Sequence, residues 1–440
     1  MRKEAYMTAK RTVCSGIMIS IMCLMASFSW AKTAVPVYNV ITVDAAITPA
    51  IADYIMNGID DSVMRGYDGV IITLDTPGGL DLAMRDIVKK ILNAPIPVIV
   101  FVHPSGARAA SAGVMITMAA HIAAMAPGTN IGAAHPVAMG FGGKMDETME
   151  QKVENDAVAY TKGIAEKRGR NEEWAAQAVI ESVSITAEEA LELKVIDVVA
   201  RDIDELLAKI DGRELPLPSE TVVIAAKGAR IIKTEMGLRD KILVTLSNPN
   251  IAYLLLLIGL AGLYFEFSHP GAVLPGVVGG ISLILAFFAL QTLPINFAGV
   301  LLILFSVVLF IAEIKIVSHG MLTVAGITSL VLGSVLLFRS PIPALRVSFS
   351  VMIPTIIVIS LFFIGVITLA VRAQMRAPST GIDGMIGAEG EAVTDIEGKG
   401  RVFIKGEYWN AMSDTVINEG DKVRVTAVDG LSIKVEKSKQ

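Results

Sequence analysis

Ser105-Gly-Ala-Arg-Ala-Ala-Ser-Ala-Gly113 lies between an apolar run, Pro97-Val-Ile-Val-Phe-Val102, and a helix-compatible run, Val114-Met-Ile-Thr-Met-Ala-Ala120. This order reads as strand, tight turn and helix, with the hydroxyl of Ser111 at the helix start. The small neighbours let a second backbone come close to Ser111, and the N-terminus of a helix favours negative charge there. Two readings follow: Ser111 caps the helix, or it is a nucleophile.

Outward from this turn, strand-like and helix-like pieces alternate from Val35 to about Ala200. Tyr38–Val43 and Gly69–Asp75 read as strands, and Thr48–Pro49 starts a helix to about Arg65. Leu80–Asn93 has helical spacing, and His121–Met125 follows the turn helix. Such alternation implies βαβ crossovers and a largely parallel α/β sheet, with active groups at the carboxyl ends of strands. Both Thr76-Pro-Gly-Gly79 and Ser111 lie just past such ends. Pro127-Gly-Thr-Asn-Ile-Gly-Ala-Ala-His-Pro136 leads into a Gly-rich loop to Gly143. Asp146 to about Arg168 then reads as a helix with Met149, Lys152, Val153, Asp156 and Tyr160 on roughly one side. Thr186-Ala-Glu-Glu189 is a capping box, and Leu193–Val199 reads as a closing strand. Residues 202–241 are mixed and polar, and Pro216 and Pro218 suggest a linker.

The 440 residues are 53% hydrophobic, with mean hydropathy +0.60, so membrane spans are expected. Apolar runs fall at about 250–266, 274–292, 296–312, 321–338 and 351–371. Pro294 alone separates the second from the third, which leaves four spans as an alternative. Glu266, His269, Glu313, Lys315 and His319 sit at span edges and read as solvated or headgroup-level side chains rather than a proton path. Net charge is −5 with no long basic block, so nucleic acid is not a favoured partner.

Arg2, Lys3, Lys10 and Arg11, the apolar run Val13–Phe28 and Ser29-Trp-Ala31 form an export-signal pattern. Cleavage after Ala31 would remove Cys14 and Cys23, leaving no disulfide, thiolate metal site or Cys nucleophile. With the signal removed, five spans put the first domain outside the cytoplasm and the C-terminus inside. Arg372 and Arg376 agree with that orientation; Arg339 and Arg346 do not, nor do Lys227, Arg230, Lys233, Arg239 and Lys241. The tail alternates apolar and polar residues in Glu391–Thr394, Gly400–Ile404, Asp421–Val428 and Leu431–Val435. Short strands at this spacing suggest a small barrel of OB type, and its interleaved acids and bases favour protein contact over nucleic acid.

A serine nucleophile needs a base and a place for the oxyanion. The N–H groups of the Gly78-Gly79 turn and of Ala112 can form that place. His103, His121, His135 and Lys152 are the candidate bases, and His103 and His121, at strand ends, fit packed imidazoles better.

Asp75-Thr-Pro-Gly-Gly79, Ala109-Ala-Ser-Ala-Gly113, Ala126-Pro-Gly-Thr-Asn-Ile-Gly132 and Thr186-Ala-Glu-Glu-Ala-Leu191, in this order, resemble the Clp-like serine protease domain of the NfeD (nodulation efficiency protein D) family. The multi-span middle and the OB tail resemble that family's long form. The resemblance implies a multidomain chain. Its parts are an export signal (1–31), a Clp/crotonase-like α/β protease domain (32–220), a linker (221–249), an all-α transmembrane region of about five helices (250–371) and an all-β OB barrel (384–440). It implies a serine endopeptidase of the cell membrane with a Ser–Lys dyad, without cofactor or metal. Its expected partners are stomatin/flotillin-like membrane proteins, as partners or substrates cleaved in apolar segments, together with membrane lipid and a second copy of the chain. By position the nucleophile falls on Ser111, the lysine on Lys152, and the oxyanion donors on Gly79, less surely Gly78, and Ala112. Ala134 stands where Clp has its histidine, so His135, one place off, is the runner-up base. A lysine base must be neutral, and Met149 and Val153 are expected to supply the apolar cover that lowers its pKa, with Asp156 opposing. The competing readings are a crotonase-type acyl-CoA enzyme, which export and membrane spans oppose, and a catalytically silent scaffold for a stomatin/flotillin-type assembly.

Overall fold

The computed structural model describes residues 35–137, 146–268, 271, 273–316, 318, 320–338, 345–374 and 382–438. The export-signal pattern with Cys14 and Cys23, the Gly-rich run 138–145, His269, His319, Arg339, Arg376 and the side chains of Lys315 and Arg372 lie outside them.

The first domain begins with β1 (Val37–Asp44), α1 (Pro49–Met64), β2 (Gly69–Asp75), α2 (Asp81–Leu92) and β3 (Val98–Val102). It continues through β4 (Arg108–Ala110), α3 (Ala112–Ala119), β5 (Ile122–Met125), β6 (Asn130–Gly132), α4 (Glu147–Arg168) and α5 (Glu172–Ile180). It ends with β7 (Ser184–Thr186), α6 (Ala187–Glu192), β8 (Val198–Val199), α7 (Ile203–Ile210), β9 (Glu214–Pro216), β10 (Thr221–Val223) and β11 (Arg230–Thr234). Six strands form one parallel sheet in the order β11-β1-β2-β3-β5-β8.

Each central strand feeds two cores, because successive side chains point to opposite faces. Val70, Ile72, Leu74, Val98, Val100 and Val102 pack with α1, α2 and α3 on one face. Ile71, Ile99 and Phe101 pack on the other with α7 residues Leu206, Leu207 and Ile210. Such double cover is why these strands read as continuous apolar runs. The Thr48 side chain accepts the Ile51 N–H and Pro49 stands in the first turn, so α1 starts where the sequence predicts. The capping box is present too: Thr186 Oγ1 accepts the Glu189 N–H, and Glu189 returns a carboxylate to the Thr186 N–H at 2.8 Å.

Three readings change. Only Val198–Val199 of the expected closing strand is extended. The N–H groups of Val195 and Ile196 both go to the Ala190 carbonyl, so the chain there is still ending α6. The stretch read as linker is built into the domain, since β11 pairs along β1 from Val37↔Arg230 to Ile41↔Thr234. The loops around Ser111 and Pro127 contain β4 and β6, which join β7 in a separate three-stranded sheet.

After α8 (Leu238–Leu246) come five apolar helices: α9 (Pro249–Ser268), α10 (Val273–Gln291), α11 (Phe297–Lys315), α12 (Met321–Leu337) and α13 (Phe349–Gln374). Thr292–Asn296 separates α10 from α11, so Pro294 stands between two helices. Small residues let α9 and α10 close up: a Cβ on Gly262 would stand 2.6 Å from Gly279 Cα. Glu313 is buried rather than solvated. It accepts hydrogen bonds from Ser318 Oγ (2.6 Å) and from the N–H groups of Gly320 and Thr323 (3.0 Å each), and so caps the start of α12.

The tail closes into a barrel of β12 (Glu389–Ala392), β13 (Lys399–Ile404), β14 (Glu407–Met412), β15 (Lys422–Asp429) and β16 (Ser432–Lys437), in the order β12-β13-β14-β16-β15. Val402, Ile404, Ala411, Val423, Val425, Ile433 and Val435 fill it, the inward half of each alternation.

Candidate active site

The end of β2 and the Ser111 turn are laced together. Thr76 N–H donates to the Arg108 carbonyl at 2.8 Å, Ala110 N–H to the Thr76 carbonyl at 3.1 Å, and Asp75 Oδ1 accepts the Arg108 N–H at 3.0 Å. Ser111 then turns sharply, at φ 51° and ψ −113°, with its N–H on the Gly132 carbonyl at 3.1 Å. No side-chain capping bond runs from Ser111 into α3. A non-glycine residue with a positive φ is strained, and here the hydrogen bonds of the Ala110 and Ser111 N–H groups on one side, and of the Val114 N–H to the Ser111 carbonyl on the other, hold it. The hydroxyl is thereby released from the capping role and stands at the N-terminal, electropositive end of α3.

The Gly-Gly turn is pinned by its own neighbours. Ile47 N–H donates to the Gly78 carbonyl and Leu80 N–H to the Ile47 carbonyl, both at 2.8 Å. Gly78 has φ +112°, a conformation that suits glycine. Its N–H is held by Thr76 Oγ1 at 3.1 Å. The N–H groups of Gly79 and Ala112 have no hydrogen-bond partner among the described residues. Of the two glycines named from sequence, Gly79 is therefore the one with a donor to spare.

A cavity of about 350 Å³ opens here, lined by Gly79, Ser111 and Ala112, by Lys152 and by apolar Met84, Met115, Val137 and Val153. Lys152 and Ser111 thus share one cavity, although no hydrogen bond joins them among the described residues. The expected apolar cover is missing: Lys152 is exposed, Met149 is 53% exposed and Val153 37%. The N-terminal half of α4 projects from the domain, and its buried anchors come later, at Thr161, Ile164 and Ala165. Asp156 is taken up by Arg85 of α2 at 2.5 Å; Arg85 also binds Asp81 at 2.8 Å and covers the Tyr160 ring at 4.3 Å. Sequence reasoning passed over Arg85, Met84, Met115 and Gly132. Only the Asp81/Arg85 spacing of four residues was there to be read.

The other candidate bases lie elsewhere. His135 holds the Val179 carbonyl through Nδ1 at 2.9 Å, while its neighbours Ala134 and Pro136 line the cavity. His121 is buried and accepts the Val98 N–H through Nδ1 at 3.2 Å. Burial, with Arg168 and Arg170 nearby, lowers its pKa to about 3, so it is a neutral structural imidazole. His103 stacks near Phe101, ring centroids 4.9 Å apart, and burial lowers its pKa as well. The far end of α3 is clamped. Arg168 donates to the Ala119 carbonyl at 2.8 Å, and Arg170 to the carbonyls of Met118 and Ala120 and to Asp197.

Three family models match in order: "NfeD1b, N-terminal domain" over residues 36–215, "NfeD integral membrane domain" over 250–369, and "NfeD-like C-terminal, partner-binding domain" over 382–437. The membrane-bound protease PH1510 of Pyrococcus horikoshii is 37% identical over 388 residues, covering 85% of this chain and 87% of that protein. The chain belongs to the NfeD family. It is the family's long form, and a membrane-bound serine protease. The membrane protein NfeD1b of Bacillus subtilis is 26% identical over 437 residues, 92% of this NfeD chain and 94% of its own. Among solved structures, a lysine-to-alanine mutant of the 1510-N membrane-bound stomatin-specific protease, in complex with a substrate peptide, is 35% identical. It covers 48% of this chain and 97% of its own, with a TM-score of 0.45.

Proposed function

We propose that Ser111 and Lys152 are the nucleophile and general base of an endopeptidase that cuts apolar segments of membrane-associated proteins. Neutral Lys152 takes the proton of Ser111 Oγ as that oxygen attacks the scissile carbonyl carbon. The resulting oxyanion receives the N–H groups of Gly79 and Ala112 at the electropositive end of α3. Protonated Lys152 then gives its proton to the leaving amine, and water hydrolyses the acyl-enzyme by the same route in reverse. One observation carries this reading: strained Ser111, two unengaged N–H groups and a lysine line one cavity, with apolar Met84, Met115, Val137 and Val153 among its other walls. An apolar substrate lying across Met149 and Val153 supplies the cover that Lys152 lacks in the free protein, and burial of this kind favours a neutral amine.

Stomatin-like membrane proteins are the proposed partners and substrates, docked through the C-terminal barrel, which matches a partner-binding domain. We also propose that residues 1–31 are an export signal, that all five apolar helices cross the membrane, and that the α/β domain lies outside the cytoplasm with the barrel inside.

The test is covalent labelling of the full chain in detergent with a fluorophosphonate. Wild type is expected to label and Ser111→Ala not to. Equal labelling of Ser111→Ala, or none of wild type, contradicts the proposal.

A further inference from the structure

We propose that Arg85 is a positioning residue that sets the proton affinity of Lys152 by occupying Asp156; this rests on Lys152 being the base. Asp156 lies one helical turn beyond Lys152 on the same face of α4, and both line the cavity with Ser111. Left free, its carboxylate would favour the protonated form of Lys152, the wrong direction for a base. Arg85 engages that carboxylate instead. Its Nη2 binds Asp156 at 2.5 Å while its Nε binds Asp81 at 2.8 Å, so the guanidinium is fixed by α2 before it meets α4.

The same residue holds the projecting half of α4 in place. Its guanidinium lies 4.3 Å from the centroid of the Tyr160 ring, one turn beyond Asp156. Two successive turns of α4 are therefore tied to α2 at a point where the helix has little buried surface of its own. The charged groups lining the cavity, among the described residues, are Asp81 and Arg85 from α2 and Lys152 and Asp156 from α4; α3 brings none. With Arg85 in place the two acids share one guanidinium. Without it, Lys152 is the one cation, among the described residues, that lines the cavity with both carboxylates.

The experiment is a pH–rate series on the full-length protein with one apolar fluorogenic peptide, using wild type, Arg85→Met, Asp156→Asn, the double variant Arg85→Met/Asp156→Asn, and Lys152→Ala. The rising limb is expected about one pH unit higher in Arg85→Met. It moves lower in Asp156→Asn, where the guanidinium remains, and returns toward wild type in the double variant. A merely structural clamp would lower the rate in the double variant without restoring the limb. An unmoved limb in Arg85→Met, or an unmoved or upward one in Asp156→Asn, overturns the proposal. Asp156→Asn keeps the test readable if Arg85→Met does not fold. Should Lys152→Ala keep both activity and limb, the Ser–Lys reading fails, and this proposal with it. If Lys152→Ala is inactive and the other limbs stay still, only this proposal fails.

Discussion

Gly78 faces Ser111 so closely that a Cβ built on it would stand 2.7 Å from Ser111 Cβ and 3.2 Å from Oγ. The glycine at this place is therefore required twice, by its φ of +112° and by the nucleophile beside it. Gly78→Ala is expected to cost about 1–2 kcal/mol from the backbone alone, and to push Ser111 off its line of attack. A displacement on the order of 1 Å can lower a rate about a hundredfold. The measurement pairs peptide hydrolysis with thermal unfolding: activity falls far more than stability does.

Arg170 is expected to be a stability residue. Its side chain is 2% exposed, and it serves Asp197 at 2.6 Å and the carbonyls that end α3. Arg170→Met orphans all of these, at a cost of about 3 kcal/mol. A melting temperature within a degree of wild type would show that the clamp carries nothing.

His121 gives a pH signature. Its folded pKa, near 3, is far below the ordinary 6.5, because of burial first and of Arg168 and Arg170 next. The unfolded chain therefore binds a proton that the folded chain refuses. Stability from this group is complete above pH 6.5 and declines as pH falls toward 3, by up to about 1.4 kcal/mol per unit. His121→Asn, which keeps an acceptor and does not titrate, is expected to lose less of its melting temperature between pH 7 and pH 5 than wild type. An equal loss in both proteins contradicts this.

Topology has its own readout. A reporter fused after Gln440 should be active as a cytoplasmic protein, and one placed in the α/β domain as an exported one. Activity of the C-terminal fusion only outside the cytoplasm would refute five crossings.

What the sequence made legible follows from periodicity. Val98–Val102 and the buried face of α1 announce themselves, because apolar residues recur at strand or helix spacing. The five helices and the barrel did so for the same reason. β4, β6 and β7 did not: strands of three residues have no period, and only their mutual pairing across the fold makes them strands. β11 was hidden in a polar stretch, because an edge strand buries little. At the site, the Gly-Gly turn, Ser111 and Lys152 were visible as residue types in order. The exposure of Lys152 was not, since burial depends on how far α4 projects. Arg85 was readable as a partner of Asp81 four residues away. Its contact with Asp156, seventy-one positions on, belongs to the tertiary structure alone.

The central claim, a Ser–Lys dyad, is tested most directly by hydrolysis of one apolar fluorogenic peptide by wild type, Ser111→Ala, Lys152→Ala, Lys152→Arg and His135→Ala. Ser111→Ala and Lys152→Ala are expected to fall together, by about a thousandfold or more, because the two groups act as one unit. Lys152→Arg is expected to fall with them, since a guanidinium stays protonated. His135→Ala is expected to keep substantial activity, its imidazole being occupied by the Val179 carbonyl. Near wild-type rates in Lys152→Ala, with His135→Ala inactive, would contradict the dyad and put a Ser–His pair in its place.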